Sequence, residues 1–131
     1  MGRKKARGRV GIEFREEPWA EEVERLQPRS PARQQAEKAR REIEADRAGL
    51  AWLPCEEEGP GSTRLGGCVK LYVPFGRRGA SAAPYGFVFE LIEAQGRLSV
   101  VMIAFGERHP TNPETRSVYE RAHKRLHGRY P

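Results

Sequence analysis

The sequence is poor in cysteine and in long apolar runs, and each shortage excludes a class of protein. Only two cysteines, Cys55 and Cys68, occur among 131 residues, so a disulfide framework is not expected. They form no CxxC pair and no Cys/His cluster with zinc-ligand spacing, so we expect neither a metal nor another cofactor. No apolar run approaches the roughly 18 residues of a membrane span. The basic start MGRKKARGRV also lacks the apolar stretch of a secretory signal, so we expect a cytoplasmic protein with no membrane partner.

Familiar catalytic signatures are also missing. The sequence contains no Walker loop, no GxSxG elbow and no HExxH helix. The glycines of RLGG and FGRRG are separated and do not open a helix after a strand, so a phosphate-cradling loop is a weak interpretation. Any function must therefore come from side chains that the fold brings together.

Positive charge is what the chain has in surplus. With 24 Lys and Arg against 18 Asp and Glu, the net charge is +6. Such a surplus in a small domain indicates a polyanionic partner, although a solubilising surface explains the charge equally well. Basic residues without any acid occupy positions 1–9, which we expect to be a flexible arm. One domain over 10–127 and a tail at 128–131 complete the predicted organisation.

Apolar periodicity predicts the order β-α-α-β-β-β-α. Alternation over residues 9–14 indicates a strand, and apolar residues at helical spacing over 16–26 indicate a first helix. Ser30-Pro31 is an N-cap followed by a proline at the first helical position, and this second helix extends to about Ala48. Its thin apolar stripe faces either the sheet or a partner protein and consists mainly of Ala32, Ala36 and Ala39.

Three further strands are predicted in the second half of the chain. They cover 68–75, 85–92 and 98–105, and EAQG joins the last two as a tight hairpin. Short links imply an antiparallel meander, and the last strand, apolar on both faces, is expected at the sheet centre. With a terminal helix over 113–127, the predicted class is α+β: a small antiparallel sheet of about four strands, two N-terminal helices and one C-terminal helix.

Side chains that suit RNA chemistry gather at the predicted strand ends. Lys70 and Tyr72 share one face of a strand, and Arg108 and His109 leave the end of the last strand. A meander brings alternate strand ends together, so these side chains can line one basic concavity with Tyr119. Arginine forks phosphate oxygens, tyrosine stacks on bases, and lysine or histidine can move a proton. The further RNA-binding candidates are Arg77, Arg78, Arg116 and Lys124.

Several of these residues also have a plain structural interpretation. Lys70 fits the solvent face of an edge strand, His109 before a proline fits an ordinary loop position, and Tyr119 fits core packing of the last helix. His123 and His127 are expected to face solvent on that helix. Placement alone therefore leaves the functional and the structural interpretations open.

Three stretches of the sequence carry a family resemblance. They are VGIEFREEPWAEEVERL, then TRLGGCVKLYVPFG…PYGFVFELIEAQGRLSVVMIAFGER, and finally SVYERAHKRL. Together they cover most of residues 9–127. They resemble, in this order, the opening strand and first helix, the strand meander and the terminal helix of the RelE/ParE superfamily of bacterial toxins. The match is closest to the RelE branch, whose members cleave messenger RNA at the ribosome.

The resemblance implies a RelE-like fold, related to microbial ribonucleases, and a metal-independent endoribonuclease that inhibits translation. Such an mRNA interferase is the toxin of a toxin–antitoxin pair, with messenger RNA, the ribosome and a cognate antitoxin as partners. The resemblance assigns Lys70 to catalysis, Arg108 to the scissile phosphate and Tyr119 to substrate stacking. His109 is a candidate acid or base in the lengthened loop HPTNP.

This sequence departs from the family pattern at two strand positions. Tyr72 stands where the family often has a second lysine, and Gly86 stands where it has the arginine of a YR pair. Arg77 or Arg78 could substitute for that missing arginine. The departures leave two alternatives open: a DNA gyrase inhibitor of the ParE kind, and a protein that binds RNA without cleaving it.

Overall fold

The computed structural model describes residues 11–45, 52–75 and 83–131 and has an α+β fold. Its strands are β1 (Gly11–Glu13), β2 (Leu53–Pro54), β3 (Cys68–Val73), β4 (Tyr85–Ala94) and β5 (Arg97–Glu107). Its helices are α1 (Glu16–Trp19, continued by a π-helical segment Ala20–Glu24), α2 (Pro31–Glu44) and α3 (Val118–His127). The predicted fold class is confirmed, with five strands in place of about four.

The strands form one sheet in the order β1-β5-β4-β3-β2. β1 runs parallel to β5, and the other neighbouring pairs are antiparallel, so the predicted meander of β3, β4 and β5 is confirmed. β5 is an interior strand, but the middle strand is β4, so the central position predicted for β5 was wrong. The reason is β2, which pairs Leu53 with Lys70 and is too short to show any periodicity.

The helices α1 and α2 pack on one face of the sheet and enclose the larger core. Phe87, Phe89 and Phe105 are fully buried there, and burying an aromatic side chain of this size contributes roughly 2–3 kcal/mol. Ala36 and Ala39 of α2 belong to the same buried cluster. The alanine stripe therefore faces the sheet rather than a partner protein.

The helix α3 covers only part of the opposite face, where Val118 and Ala122 belong to a smaller core. It begins at Val118 and not at Pro113 as predicted, because Ser117 and Glu120 form a capping box. The Ser117 hydroxyl accepts the Glu120 N–H at 3.1 Å, and the Glu120 carboxylate accepts the Ser117 N–H at 3.0 Å. This cap places the first turn of α3 beside an uncovered area of the sheet.

An ion network fixes α3 against α1 and β5. Glu22 is only 2% exposed, and Arg121 forks onto its two oxygens at 2.8 and 2.7 Å. Glu22 also accepts the backbone N–H of Phe105 at 3.1 Å and a bond from Arg125 at 3.3 Å. Arg125 in turn donates to the carbonyl oxygen of Ile103 at 2.8 Å. The network holds the position of the helix that carries Tyr119.

Other predicted boundaries move by a few residues. β3 ends at Val73 rather than at Phe75, and both long strands extend about two residues beyond their predicted ends. α2 ends at Glu44, whereas its predicted end near Ala48 lies outside the described residues, as does the predicted arm at 1–9. No helix within the described ranges is long and apolar enough to cross a membrane.

Candidate functional site

A cleft of about 530 Å³ opens on the face of the sheet that α3 leaves uncovered. Lys70 and Tyr72 of β3 and Arg108, directly after β5, line it, and Tyr119 of α3 closes one side. Residues 55–65 form one wall, and the loop over 109–117 forms the other. The structure thus brings together four of the nine predicted site residues, from three separate elements, and adds His109 at the mouth.

Arg108 lies in the cleft, where it is only 7% exposed and contacts Tyr72, Tyr119 and the backbone of Ala83. Its guanidinium carbon lies 3.6 Å from the centroid of the Tyr72 ring. Its Nε donates to the Tyr119 hydroxyl at 3.1 Å, and its Nη1 donates to the carbonyl oxygen of Ala83 at 3.0 Å. These three contacts, with a ring, a hydroxyl and a carbonyl oxygen, fix the position of the guanidinium in the cleft.

Gly86 provides the space in which Arg108 lies. It pairs with Tyr72 in the register of β3 and β4. A Cβ atom at position 86 would stand 3.4 Å from Cγ of Arg108 and 3.5 Å from the carbonyl oxygen of Leu71. A long side chain at this position would compete with the stem of Arg108. The RelE/ParE pattern has an arginine at this position. Here the position is a glycine, and Arg108 packs closely on the sheet in the space that the absent side chain leaves.

Lys70 lies on the same side of the sheet as Arg108. Its Nζ is 5.3 Å from the ring centroid of Tyr119 and 5.5 Å from that of Tyr72, both within cation–π range. β3 is flanked by β2 and β4, so Lys70 does not lie on an edge strand along the part that β2 pairs. The two cations and two rings form one cluster, which we call the Lys70–Arg108 cluster.

Besides the thiol of Cys55, one histidine and two carboxylates line the cleft around this cluster. His109 is exposed where the 109–117 loop begins. Glu56 and Glu120 also line the cleft, and sequence reasoning missed both. The spacing Ser117 to Glu120 is that of a capping box and could have located Glu120, whereas nothing in the local sequence of Glu56 marks it.

Two predicted RNA-binding residues lie outside the cleft lining. Arg116 and Lys124 flank Tyr130, with the Arg116 guanidinium carbon 4.2 Å and Lys124 Nζ 5.2 Å from its ring centroid. They form a separate basic and aromatic surface on the exposed side of α3. Arg77 and Arg78 fall outside the described residues, so their predicted role stays a prediction.

His123 is buried, so the prediction that it faces solvent was wrong. It is 6% exposed, and its Nδ1 accepts the backbone N–H of Arg64 at 3.0 Å. Burial lowers the pKa of His123, and the positive charges of His127, Arg129 and Arg64 lower it further. The prediction failed because a polar ring can be buried when a distant loop supplies its hydrogen-bond partner. His127 is exposed, as expected.

The two cysteines lie side by side at the junction of β2 and β3. The Cys55 N–H donates to the Cys68 carbonyl oxygen at 3.0 Å. Burial raises the pKa of Cys68 to about 12 and also raises that of Cys55, so both thiols stay protonated near neutral pH. Cys68 is a small buried side chain of the smaller core. Within 11–45, 52–75 and 83–131, no three His, Cys, Asp or Glu side chains cluster as metal ligands would.

Comparison with known proteins gives no match: no protein-family model, curated protein or solved structure is significantly similar to this chain. The RelE/ParE resemblance therefore rests on the three sequence stretches alone. The α+β fold and the cleft do not depend on that resemblance.

Proposed function

We propose that this chain is a RelE-like endoribonuclease, the toxin of a toxin–antitoxin pair, which acts in the cytoplasm on messenger RNA at the ribosome. The observation that carries the proposal is the convergence of Lys70, Arg108 and Tyr119 on one cleft. Arg108 Nε donates to the Tyr119 hydroxyl at 3.1 Å, and Lys70 Nζ lies 5.3 Å from the same ring. The family resemblance assigns catalysis to Lys70, phosphate binding to Arg108 and substrate stacking to Tyr119.

The reaction is attack by an RNA 2′-hydroxyl on the adjacent phosphate. The 2′-oxygen forms a bond to phosphorus, and the bond between phosphorus and the 5′-oxygen of the next nucleotide breaks. One proton leaves the 2′-hydroxyl, and another reaches the departing 5′-oxygen. The products are a 2′,3′-cyclic phosphate and a 5′-hydroxyl. Negative charge builds on the phosphate in the transition state, and preorganised cations lower that barrier.

Five side chains of the cleft have a role in this reaction. Arg108 holds the scissile phosphate, and Lys70 supplies a second positive charge or the proton for the leaving oxygen. His109 accepts the proton of the 2′-hydroxyl, since histidine is the side chain best suited to proton transfer near neutral pH. Tyr119 stacks on or orients a base. Tyr72 supports Arg108, because the guanidinium already covers one face of its ring at 3.6 Å.

The burial of the Arg108 side chain favours a second function, which is RNA binding without cleavage. This side chain is 7% exposed and is engaged by Tyr72, Tyr119 and the carbonyl oxygen of Ala83. A phosphate ligand would have to share the guanidinium with these partners. In that case the cleft binds the RNA backbone, and the phosphodiester bond stays intact.

The chemistry of the cut ends tests the proposal. The protein is added to bacterial ribosomes that translate a reporter messenger RNA, and polynucleotide kinase then labels the fragments without prior phosphatase treatment. Fragments with a free 5′-hydroxyl accept the label directly, which is the expected result. Fragments that carry a 5′-phosphate would contradict attack by the 2′-hydroxyl. Intact messenger RNA that co-purifies with the protein would favour binding without cleavage.

A further inference from the structure

Two histidines of α3 hold the backbone of Arg64 from both sides. The Arg64 N–H donates to Nδ1 of His123 at 3.0 Å, and the Arg64 carbonyl oxygen lies 2.9 Å from Nε2 of His127. A carbonyl oxygen can only accept, so His127 carries a proton on Nε2. His123 accepts at Nδ1, so its neutral ring carries its proton on Nε2. The two rings lie 4.4 Å apart between centroids.

This pair of contacts anchors one wall of the cleft. Thr63 and Leu65, the two neighbours of Arg64, both line the cleft and are both buried. The Gly59 N–H donates to the Thr63 carbonyl oxygen at 2.8 Å, so the segment over 59–65 is a compact turn. The first turn of α3 supplies Tyr119 to the cleft, and His123 and His127 further along the same helix hold the wall that contains Thr63 and Leu65.

We propose that His123 and His127 form a proton-sensitive clamp on Arg64, which holds this wall while His123 is neutral and releases it when His123 binds a proton. Protonation places a hydrogen on Nδ1, so two N–H donors then face each other where one hydrogen bond existed. Any consequence of this release for RNA binding in the cleft rests on the proposed function. The clamp itself does not depend on that function.

The charges around His123 oppose its protonation in the clamped state. Burial lowers the pKa of this imidazole, and positive groups on α3, on the segment after it and on the 59–65 segment lower it further: His127, Arg129 and Arg64. Glu57, Cys68 and Glu90 are titratable groups of other elements, and they line a neighbouring hollow together with Arg64 and His127. The geometry makes proton uptake by His123 and retention of its bond to Arg64 mutually exclusive.

Amide hydrogen exchange of Arg64 in the full chain measures the clamp directly. NMR protection factors are compared near pH 7.5 and near pH 5.5, about one unit on either side of the ordinary histidine pKa of ~6.5. We expect the protection of the Arg64 amide to fall about tenfold on acidification, the change that corresponds to one buried hydrogen bond. Amides of β4 serve as the reference for global unfolding and should keep their protection.

Two substitutions at His123 separate the clamp from simple packing. His123→Asn offers an acceptor oxygen close to the position of Nδ1 but cannot titrate, so Arg64 should stay protected at both pH values. His123→Leu removes the acceptor, so Arg64 should be unprotected at both. A wild-type protection factor that does not change with pH, or an equal fall in His123→Asn, would overturn the proposal.

A measurement on the unmodified chain covers the case in which a variant does not fold. The ¹⁵N shifts of the His123 ring should show an unprotonated Nδ1 near pH 7.5, and a protonated Nδ1 should appear together with the loss of Arg64 protection. The opposite tautomer at neutral pH would contradict the clamp. Binding of a short single-stranded RNA at both pH values gives a separate result: no binding at either pH would count against the proposed function and leave the exchange result intact.

Discussion

Replacing Glu22 with alanine should destabilise this protein more than most single substitutions can. The carboxylate is 2% exposed and accepts bonds from Arg121 at 2.8 and 2.7 Å, from Arg125 at 3.3 Å and from the Phe105 N–H at 3.1 Å. Removal leaves the guanidinium groups of Arg121 and Arg125 without this acceptor, and it leaves the N–H of the fully buried Phe105 without its partner. Breaking a buried ion pair from one side costs roughly 3–5 kcal/mol, which lowers the Tm of a domain of this size by about 10–20 °C.

Urea denaturation of Glu22→Ala and Glu21→Ala provides the assay and its control. Glu21 is exposed and pairs with the same Arg125 at 2.6 Å, so it matches Glu22 in charge and position but not in burial. Because water screens an exposed pair, its loss should have a far smaller effect. Glu22→Gln keeps an acceptor for the Phe105 N–H and should fall between the two. Equal destabilisation by Glu22→Ala and Glu21→Ala would refute the reasoning.

The cleft and the end of α3 give three smaller predictions. Tyr119→Phe removes the hydroxyl that accepts from Arg108 Nε and should lower the free energy of unfolding in urea by about 1–2 kcal/mol; an unchanged value would contradict that bond. Gly128 ends α3 at φ +82°, so Gly128→Ala should lower the stability measured by thermal unfolding by roughly 1 kcal/mol. Gly11→Ala is the control, because the nearest atom stands 3.8 Å from the added Cβ and no strain is expected. Because the folded state lowers the pKa of His123, the unfolded chain binds the proton first, so stability is complete above about pH 6.5 and falls below it. His123→Asn should flatten that slope, and an unchanged slope would count against this origin.

The regular elements were predictable because their signals are local. The Ser30 hydroxyl accepts the Arg33 N–H at 3.2 Å, as its position before Pro31 predicts. EAQG forms the expected turn, with φ +55° at Gln95 and +73° at Gly96, the left-handed pair that a tight hairpin requires. Long strands with clear apolar patterns needed no tertiary information.

The elements that were missed depend on contacts distant in sequence. β2 contains two residues, and only its pairing with β3 defines it. His123 is buried because its partner, Arg64, comes from a loop 59 residues earlier. Glu22 left a local trace: it stands three residues after Trp19, within the apolar stripe of α1, and an acid at such a position needs a buried cation. Its partner Arg121 lies 99 residues away, so the pair could not be named from the sequence.

The sequence predicted several of the residues that line the candidate site, but it did not predict how deeply Arg108 is buried there. The period of two placed Lys70 and Tyr72 on one face, and the meander placed Arg108 near them. The sequence could not show that Arg108 would lie on Tyr72, because that packing depends on the missing side chain at Gly86, on the neighbouring strand. It also could not place Arg116, which lies beside Tyr130 outside the cleft lining.

Primer extension on a reporter messenger RNA in a cell-free bacterial translation system tests the central claim most directly. Wild-type protein should produce discrete cuts within translated codons, and Arg108→Ala should abolish them. Arg97→Ala, at an exposed arginine in the first position of β5, is the matched control and should cut as the wild type does. Cuts that persist in Arg108→Ala, or messenger RNA that stays intact with wild-type protein, would contradict an RNase centred on the Lys70–Arg108 cluster.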